Sequence, residues 1–84
     1  MFTDAEIVEI LNGEVRSATA RLKDSRRIVD AIIAEGLGIR PQPDGNPRIT
    51  SAIKARIAAS EALELALIRN VDFTFKGIVP EDLK

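Results

Sequence analysis

No cysteine, histidine, tyrosine or tryptophan occurs in this 84-residue sequence. Without cysteine the chain forms no disulfide, and without cysteine and histidine it lacks the residue sets that usually bind zinc. The same absences remove the commonest general base and the most reactive side-chain nucleophile. We therefore expect a protein that is not an enzyme and has no catalytic residues, metal site or cofactor.

Carboxylates are the remaining groups for acid–base chemistry. The helical pattern of the chain places these carboxylates on solvent-exposed faces, and we therefore interpret them as surface residues without a catalytic role. They are Asp24, Asp30, Glu61 and Glu64. Gly36-x-Gly38 is not a phosphate-binding loop, because no predicted strand precedes it and no Gly-Lys-Ser/Thr follows it. We interpret Gly36 as a helix stop.

Long apolar runs are also missing. No stretch approaches the ~20 residues that a membrane-spanning helix needs, and the N-terminus lacks the basic and apolar regions of a secretory signal. These features predict a cytoplasmic protein with no membrane partner. The formal net charge is −1, but acidic residues concentrate at the start of the chain and basic ones follow them.

The first part of the sequence predicts a long amphipathic helix over residues 4–35. Thr3 and Glu6 form a capping box, in which each side chain accepts the backbone N–H of the other residue. Apolar residues then recur at spacings of three and four, which is typical of one stripe along a helix. The stripe contains Val8, Leu11, Val15, Ala18, Leu22, Val29 and Ile32, with Ser25 at its polar position and Ile7, Ile28 and Ile33 beside it.

Asn12-Gly13 is a turn signal inside this predicted helix. An interior glycine costs ~1 kcal/mol relative to alanine, so a break at residues 12–13 stays open. The apolar stripe keeps its phase across the dipeptide, which favours a continuous or kinked helix.

Residues 36–46 predict a loop, because they hold three of the five glycines and two of the four prolines. Asn46-Pro47 is a good N-cap followed by proline at the first helical position, and a second helix is predicted over residues 47–70. It carries a bulky stripe of Ile49, Ile53 and Ile57, and a small stripe of Ala52, Ala55, Ala59, Ala62 and Ala66.

The alanine stripe is a candidate oligomer interface. Small residues in a row let two helix backbones approach closely, and a helix that is apolar on several faces has several neighbours. The first helix covers only one face, so we expect the stripe to contact another subunit. Internal packing is the alternative.

Residues 71–84 predict an extended C-terminal arm. Val71, Phe73 and Phe75 alternate with polar residues, which is typical of a half-buried extended segment, and Pro80-Glu81-Asp82 favours a final helical turn. An isolated strand is not stable alone, so the arm packs either on its own helices or on a neighbour. Phe73 and Phe75 are candidate partner-binding residues.

These elements predict an all-α protein with one domain over residues 1–84. We expect an antiparallel two-helix hairpin with an extended C-terminal arm, assembled as an oligomer. A core in a chain of roughly 70–80 residues seldom supplies more than ~3–5 kcal/mol without staples or partner subunits. We therefore expect a homo-oligomer.

Five basic residues come together if the two helices are antiparallel, since Arg27 then lies opposite Lys54 and Arg56. The set is Lys23, Arg26, Arg27, Lys54 and Arg56. Such a cluster can hold phosphate groups through charge-assisted hydrogen bonds. An ordinary solvated face, with acidic residues interleaved, is the plainer interpretation and the one that we favour.

Binding to duplex nucleic acid is not expected. The predicted loop is longer than the three or four residues of a helix-turn-helix. The isoelectric point of about 5.4 also runs against the basic footprint of nucleic-acid-binding proteins.

The stretch from Arg48 to Asn70 ends in an alanine-rich segment and an Arg-Asn pair, at Ala66, Arg69 and Asn70. In this it resembles the second long helix of the phage-encoded cyclic-nucleotide sponges that blunt CBASS immunity. The run from Glu14 to Ala18 is similar to the start of the preceding helix in that family. The resemblance covers about half of the chain.

The sequence also departs from this family. A Leu-Thr step of the family is only half matched by Ile53-Lys54, the family's tryptophan is Ala62 here, and no tyrosine is present to stack on a base. The resemblance implies a compact helical oligomer of phage origin and anti-defence function, which binds cyclic nucleotides between subunits without chemistry.

Two functions therefore stay open. The first is sequestration of a cyclic nucleotide or similar anion by the basic cluster. The second is a protein–protein adaptor or inhibitor that uses the apolar second helix or the Phe73/Phe75 arm.

Overall fold

A computed structural model of the chain describes residues 1–35 and 47–84, which contain two long α-helices and no strand. Helix α1 spans Asp4–Ala34, helix α2 spans Pro47–Lys76, and a short 3₁₀ turn spans Glu81–Leu83. The predicted all-α fold class is confirmed. The predicted loop at 36–46, with the Asn46 cap, lies outside the described residues.

Helix α1 begins at the predicted capping box. The Thr3 hydroxyl accepts the Glu6 N–H at 3.2 Å, and the Glu6 carboxylate accepts the Thr3 N–H at 3.0 Å. The bond that the Glu6 carboxylate accepts from the Thr3 N–H lowers the pKa of Glu6, and the nearby Thr3 side chain lowers it further. The helix then runs without a break through Asn12-Gly13, so the alternative of two shorter helices is not adopted.

The two helices pack against each other in antiparallel orientation. Glu35 at the end of α1 pairs with Arg48 at the start of α2, while Glu14 near the start of α1 pairs with Arg69 near the end of α2. Neither helix, within the ranges that the structure describes, has the length and apolar character needed to cross a membrane.

The core is a narrow seam between these helices. Its larger side chains come mainly from α1, which buries Ile7, Leu11, Ala18, Leu22, Val29 and Ile32. The buried residues of α2 are Ala52, Ala59 and Ala66, seven positions apart. Large residues facing small ones fill the space between two close helices, so α1 provides most of the buried apolar volume.

The prediction that the alanine stripe contacts another subunit is wrong for three of its five residues. Ala59 has no exposed surface, and Ala52 and Ala66 are also buried within the chain. A spacing of seven keeps these three residues on the side that faces α1. Ala62 is half-buried and Ala55 is exposed, so the predicted stripe is divided between two faces.

The stripe on α1 differs from the prediction at its first residue. Ile7 is only 3% exposed, whereas Val8 is 43% exposed. Ile7 is buried because it packs with Leu11 and Leu83. The C-terminal segment therefore determines which face of the first α1 turns is covered.

The predicted extended arm is wrong for residues 71–76, which continue α2. A strand would place Phe73 and Phe75 on one face, but the helix separates them. Phe73 lies seven residues after Ala66, so it continues the buried side of α2 and packs against the Ile7 cluster. Phe75 points away and is 79% exposed.

The residues after α2 fold back on their own helix pair. Gly77 ends the helix with a φ of 69°, and its N–H donates to the Phe73 carbonyl at 3.1 Å. The predicted helical turn after Pro80 is confirmed as the 3₁₀ turn, which buries Leu83 against the core. Of the two alternatives for this segment, the structure therefore shows packing on its own chain.

Candidate functional site

Three of the five predicted basic residues line one shallow groove. Lys23, Arg26 and Arg27 of α1 surround it, and Leu22 with Leu63 of α2 provides apolar surface. Successive α1 turns bring the basic residues to one side, because positions three and four apart are neighbours on a helix. We call this surface the cationic groove.

A second, smaller groove joins the two helices beside the cationic groove. Arg26 and Leu22 line both, and the second is completed by Arg56, Ile57 and Ser60 of α2. The antiparallel arrangement thus brings Arg56 next to the α1 cations, as the sequence predicted.

Lys54 is the basic residue that the structure separates from the others. It is exposed on α2 and is not among the residues that line either groove. It lies two positions before Arg56, which rotates it by about 200° around the helix. The predicted cluster of five is therefore a cluster of four.

Acidic residues reduce the charge of the cationic groove. Asp24 and Asp30 line it as well, and the Arg27 guanidinium donates to the Asp24 carboxylate. Lys23 and Arg26 are exposed around apolar surface. The groove can thus accept a flat apolar ring against its floor and an anionic group at its rim.

A separate charged cluster is centred on Arg69. Its guanidinium donates to Glu14 at 2.9 and 3.1 Å, and to Asp82 at 2.7 and 3.0 Å. The bonds with Asp82 and then Glu14 raise the pKa of Arg69, and the bond with Arg69 lowers the pKa of Asp82. These bonds commit Arg69 to holding the C-terminal segment.

The sequence pattern does not indicate this cluster. Its three members lie at positions 14, 69 and 82 and share no periodic pattern. Asn12 was likewise interpreted only as a turn residue, yet its side chain accepts a hydrogen bond from Asn70 at 2.8 Å. The Asn12–Asn70 hydrogen bond thus joins the two helices at their exposed edge.

The outer side of α2 exposes many large apolar residues. They are Ile53, Ile57, Leu65, Leu67, Ile68, Val71 and Phe75. Of the predicted bulky stripe, Ile49 packs against Val29, Ile32 and Ala52, while its other two members are exposed. Exposed apolar surface of this kind is typical of a protein-binding face.

Residues 1–35 and 47–84 contain no group of three or more acidic, histidine or cysteine side chains arranged to hold a metal ion. Glu14 and Asp82 instead pair with Arg69. Comparisons of the chain with protein-family models, with curated proteins and with solved structures gave no match.

Proposed function

We propose that the chain is a non-catalytic binding protein that works as a helical oligomer and holds an anionic ligand in the cationic groove. The observation that carries this proposal is the combination of Lys23, Arg26 and Arg27 with apolar surface from Leu22 and Leu63 in a single groove. The neighbouring Arg56 adds a fourth cation across the helix pair.

A nucleotide has both chemical features that this groove accommodates. Its phosphate accepts charge-assisted hydrogen bonds from lysine and arginine, and the faces of its base are flat and apolar. A cyclic nucleotide is the first ligand to test, because the resemblance to the CBASS-blunting sponges implies this class. The interleaved Asp24 and Asp30 disfavour ligands of high charge, since like charges repel.

Thermal unfolding in the presence of a cyclic-nucleotide panel tests the proposal. A ligand at ~100-fold excess over its dissociation constant stabilises the folded state by ~2.7 kcal/mol, which is a clear rise in the unfolding temperature. We expect this shift for at least one member of the panel, and none for the corresponding uncharged nucleoside.

Two matched charge substitutions locate the site. Arg26→Ala removes a cation that lines both grooves and should abolish most of the shift. Lys54→Ala removes a cation of the same helix pair that lies outside them and should leave the shift intact. Absence of any shift, or equal loss in both variants, would contradict the proposal.

The outer face of α2 supports a second candidate function, a protein adaptor or inhibitor. Leu65 is 62% and Phe75 79% exposed, and exposed apolar patches on a protein surface mark interaction sites. Phe73 is not part of this face, since it packs in the core.

A double variant, Leu65→Ser with Phe75→Ser, tests this second candidate. A partner captured by the parent chain should be purified and should then bind the parent in a calorimetric titration, but not the double variant. Ile33→Ser, which changes an exposed apolar residue on α1, is the matched control and should bind normally. Equal binding by the parent chain and the double variant would exclude this face.

A further inference from the structure

A second stripe runs along the outside of α2, apart from the buried alanines. Its members are separated by four, three, four, three and four positions, and they are Ile53, Ile57, Ser60, Glu64, Leu67 and Val71. Such spacing keeps all six on one face of a helix. Every member is exposed, so the described part of the chain leaves this α2 stripe uncovered.

The spacings between these residues follow the same order from either end of the stripe. The α2 stripe is therefore symmetric about position 62, with two large apolar residues at each end and polar Ser60 and Glu64 in the middle. A surface with this symmetry is complementary to a copy of itself that runs in the opposite direction, as in a twofold interface.

We propose that a second copy of this chain docks on the α2 stripe, with the two α2 helices antiparallel about a twofold axis at position 62. The product is a four-helix bundle. Ile53 then faces Val71 of the second copy, Ile57 faces Leu67, and Ser60 faces Glu64. Apolar residues meet apolar residues at both ends, and Glu64 meets a small hydroxyl side chain in place of another carboxylate.

The charges beside the α2 stripe favour the same register. Ser60 and Ile57 line the small groove that also contains Arg26 and Arg56. In the antiparallel register, Glu64 of the second copy lies opposite Ser60 and therefore close to these two guanidinium groups. A carboxylate next to guanidinium groups forms strong, charge-assisted hydrogen bonds, and the twofold axis repeats this contact.

The available area also fits a dimer. A helix of 30 residues is about 45 Å long, and packed helices lie ~8–10 Å apart, so α2 offers a strip of roughly 450 Å². A specific interface buries ~800 Å² per partner. Helix α2 alone supplies about half of this area, so the groove residues of α1, which lie beside it, must supply the rest.

The thin core of the single chain gives a reason for this association. Among the described residues, Leu11 is the one large side chain that is less than 2% exposed. The α2 stripe meanwhile leaves Ile57, Leu67 and Val71 each nearly half exposed, and burial of such side chains is the main favourable term in association. A second copy removes this surface from water.

This inference rests on the self-association that the proposed function includes, but it does not depend on ligand binding. Sedimentation equilibrium of the parent chain should show a dimer over a wide concentration range. A monomer throughout that range would overturn the inference and would leave nucleotide binding by the cationic groove to its own test. A dimer that binds no nucleotide would instead contradict only the proposal that the cationic groove binds a nucleotide.

Cysteine cross-linking tests the register directly, because the chain has no native cysteine. Ser60→Cys and Glu64→Cys chains, mixed and mildly oxidised, should give the mixed disulfide dimer ahead of either homodimer. Ala58→Cys, on another face of α2, is the control and should stay monomeric on a denaturing gel. Preferential Ser60→Cys homodimers would indicate parallel helices and would overturn the proposed register.

Two further variants move the dimer affinity in opposite directions. Leu67→Asp places a charge in the α2 stripe and should yield a monomer. Val71→Ile adds one methylene at each end of the twofold interface, against Ile53 of the second copy, and should tighten the dimer about tenfold. If Leu67→Asp does not fold, the Val71→Ile result decides, and an unchanged or weaker dimer in that variant would contradict the proposal.

Discussion

The Arg69 guanidinium of helix α2 donates two hydrogen bonds, of 2.7 and 3.0 Å, to the carboxylate of Asp82, which lies 13 residues further along the chain. The same guanidinium donates two bonds to Glu14 of α1. One side chain thus joins both helices and the segment after Gly77. Because this segment buries Leu83 against Ile7, loss of Arg69 should weaken a part of the core as well as two ion pairs.

Arg69→Gln should therefore lower the free energy of unfolding by about 1–2 kcal/mol. Charge-assisted hydrogen bonds contribute ~1.5–3 kcal/mol when they are well formed, and the partial exposure of this cluster reduces that value. Urea denaturation followed by circular dichroism measures the change. Arg27→Gln is the control, because its pair with Asp24 is largely exposed and is worth ~0.2–1 kcal/mol at most. Equal losses in the two variants would show that Arg69 has no special role.

Asp82 should make the stability of the chain depend on acidity. Its hydrogen bonds with Arg69 lower its pKa in the folded state. A carboxylate whose pKa is lower in the folded than in the unfolded chain stabilises the fold above the unfolded pKa, and this contribution disappears as the pH falls through the folded pKa. The loss should therefore occur below about pH 4, the usual range of aspartate.

A double-mutant cycle separates this contribution from that of other carboxylates. Urea unfolding should be measured from neutral to acidic pH for the parent chain, Asp82→Asn, Arg69→Gln and the double variant. Asp82→Asn and Arg69→Gln should each flatten the decline in stability below about pH 4. The double variant should lose little stability beyond that lost in Arg69→Gln, and a full additional loss would show that the two residues act independently.

The local signals of this sequence predicted much of the fold. The Thr3–Glu6 capping box, the long first helix and the turn after Pro80 depend on neighbouring residues, so short stretches of sequence contain the necessary information. Residues 71–76 were misjudged because a run of six alternating residues fits a strand and a helix almost equally well. The burial of Phe73 by Leu83 and Ile7 decides for the helix, and that contact is not local.

The alanine stripe and the charged clusters show a second limit. The pattern of α2 identifies several apolar faces, but it does not say which of them meets α1. That choice depends on packing, and here the small residues, such as Ala59, face inward while Ile57 faces outward. The cationic groove was partly predictable, because the antiparallel register follows from a two-helix chain. The contact of Arg69 with Glu14 and Asp82 joins three distant positions and was not.

Packing at Ala59 provides a direct test of the inward alanine face. Ala59 has no exposed surface, so Ala59→Leu should force the helices apart and destabilise the chain by ~1–3 kcal/mol. Ala55→Leu is the matched control, since Ala55 belongs to the same predicted stripe but is exposed and should change the stability by no more than ~0.5 kcal/mol. Urea denaturation of both variants distinguishes the two positions. A larger loss of stability in Ala55→Leu than in Ala59→Leu would indicate that Ala55, and not Ala59, faces α1.

Gly13 and Gly77 should respond in opposite ways to the same substitution. Gly13 lies inside the continuous α1, and a methyl group added there would meet only the Arg16 side chain, at 3.8 Å. Gly13→Ala should therefore raise the free energy of unfolding by about 0.5–1 kcal/mol, because alanine loses less backbone entropy in a helix. Destabilisation by this variant would indicate that α1 bends or breaks at Asn12-Gly13.

Gly77 has open space around it but a φ of +69°. Left-handed backbone costs a residue with a Cβ roughly 1–2 kcal/mol, so Gly77→Ala should lower the stability by about that amount. The free space around Gly77 excludes a steric clash, and the loss therefore reports on backbone conformation alone. Thermal unfolding of the two variants under the same conditions should shift the midpoint up for Gly13→Ala and down for Gly77→Ala. A neutral result at Gly77 would mean that α2 does not end in a left-handed turn there, and the route by which Leu83 returns to the core would have to differ.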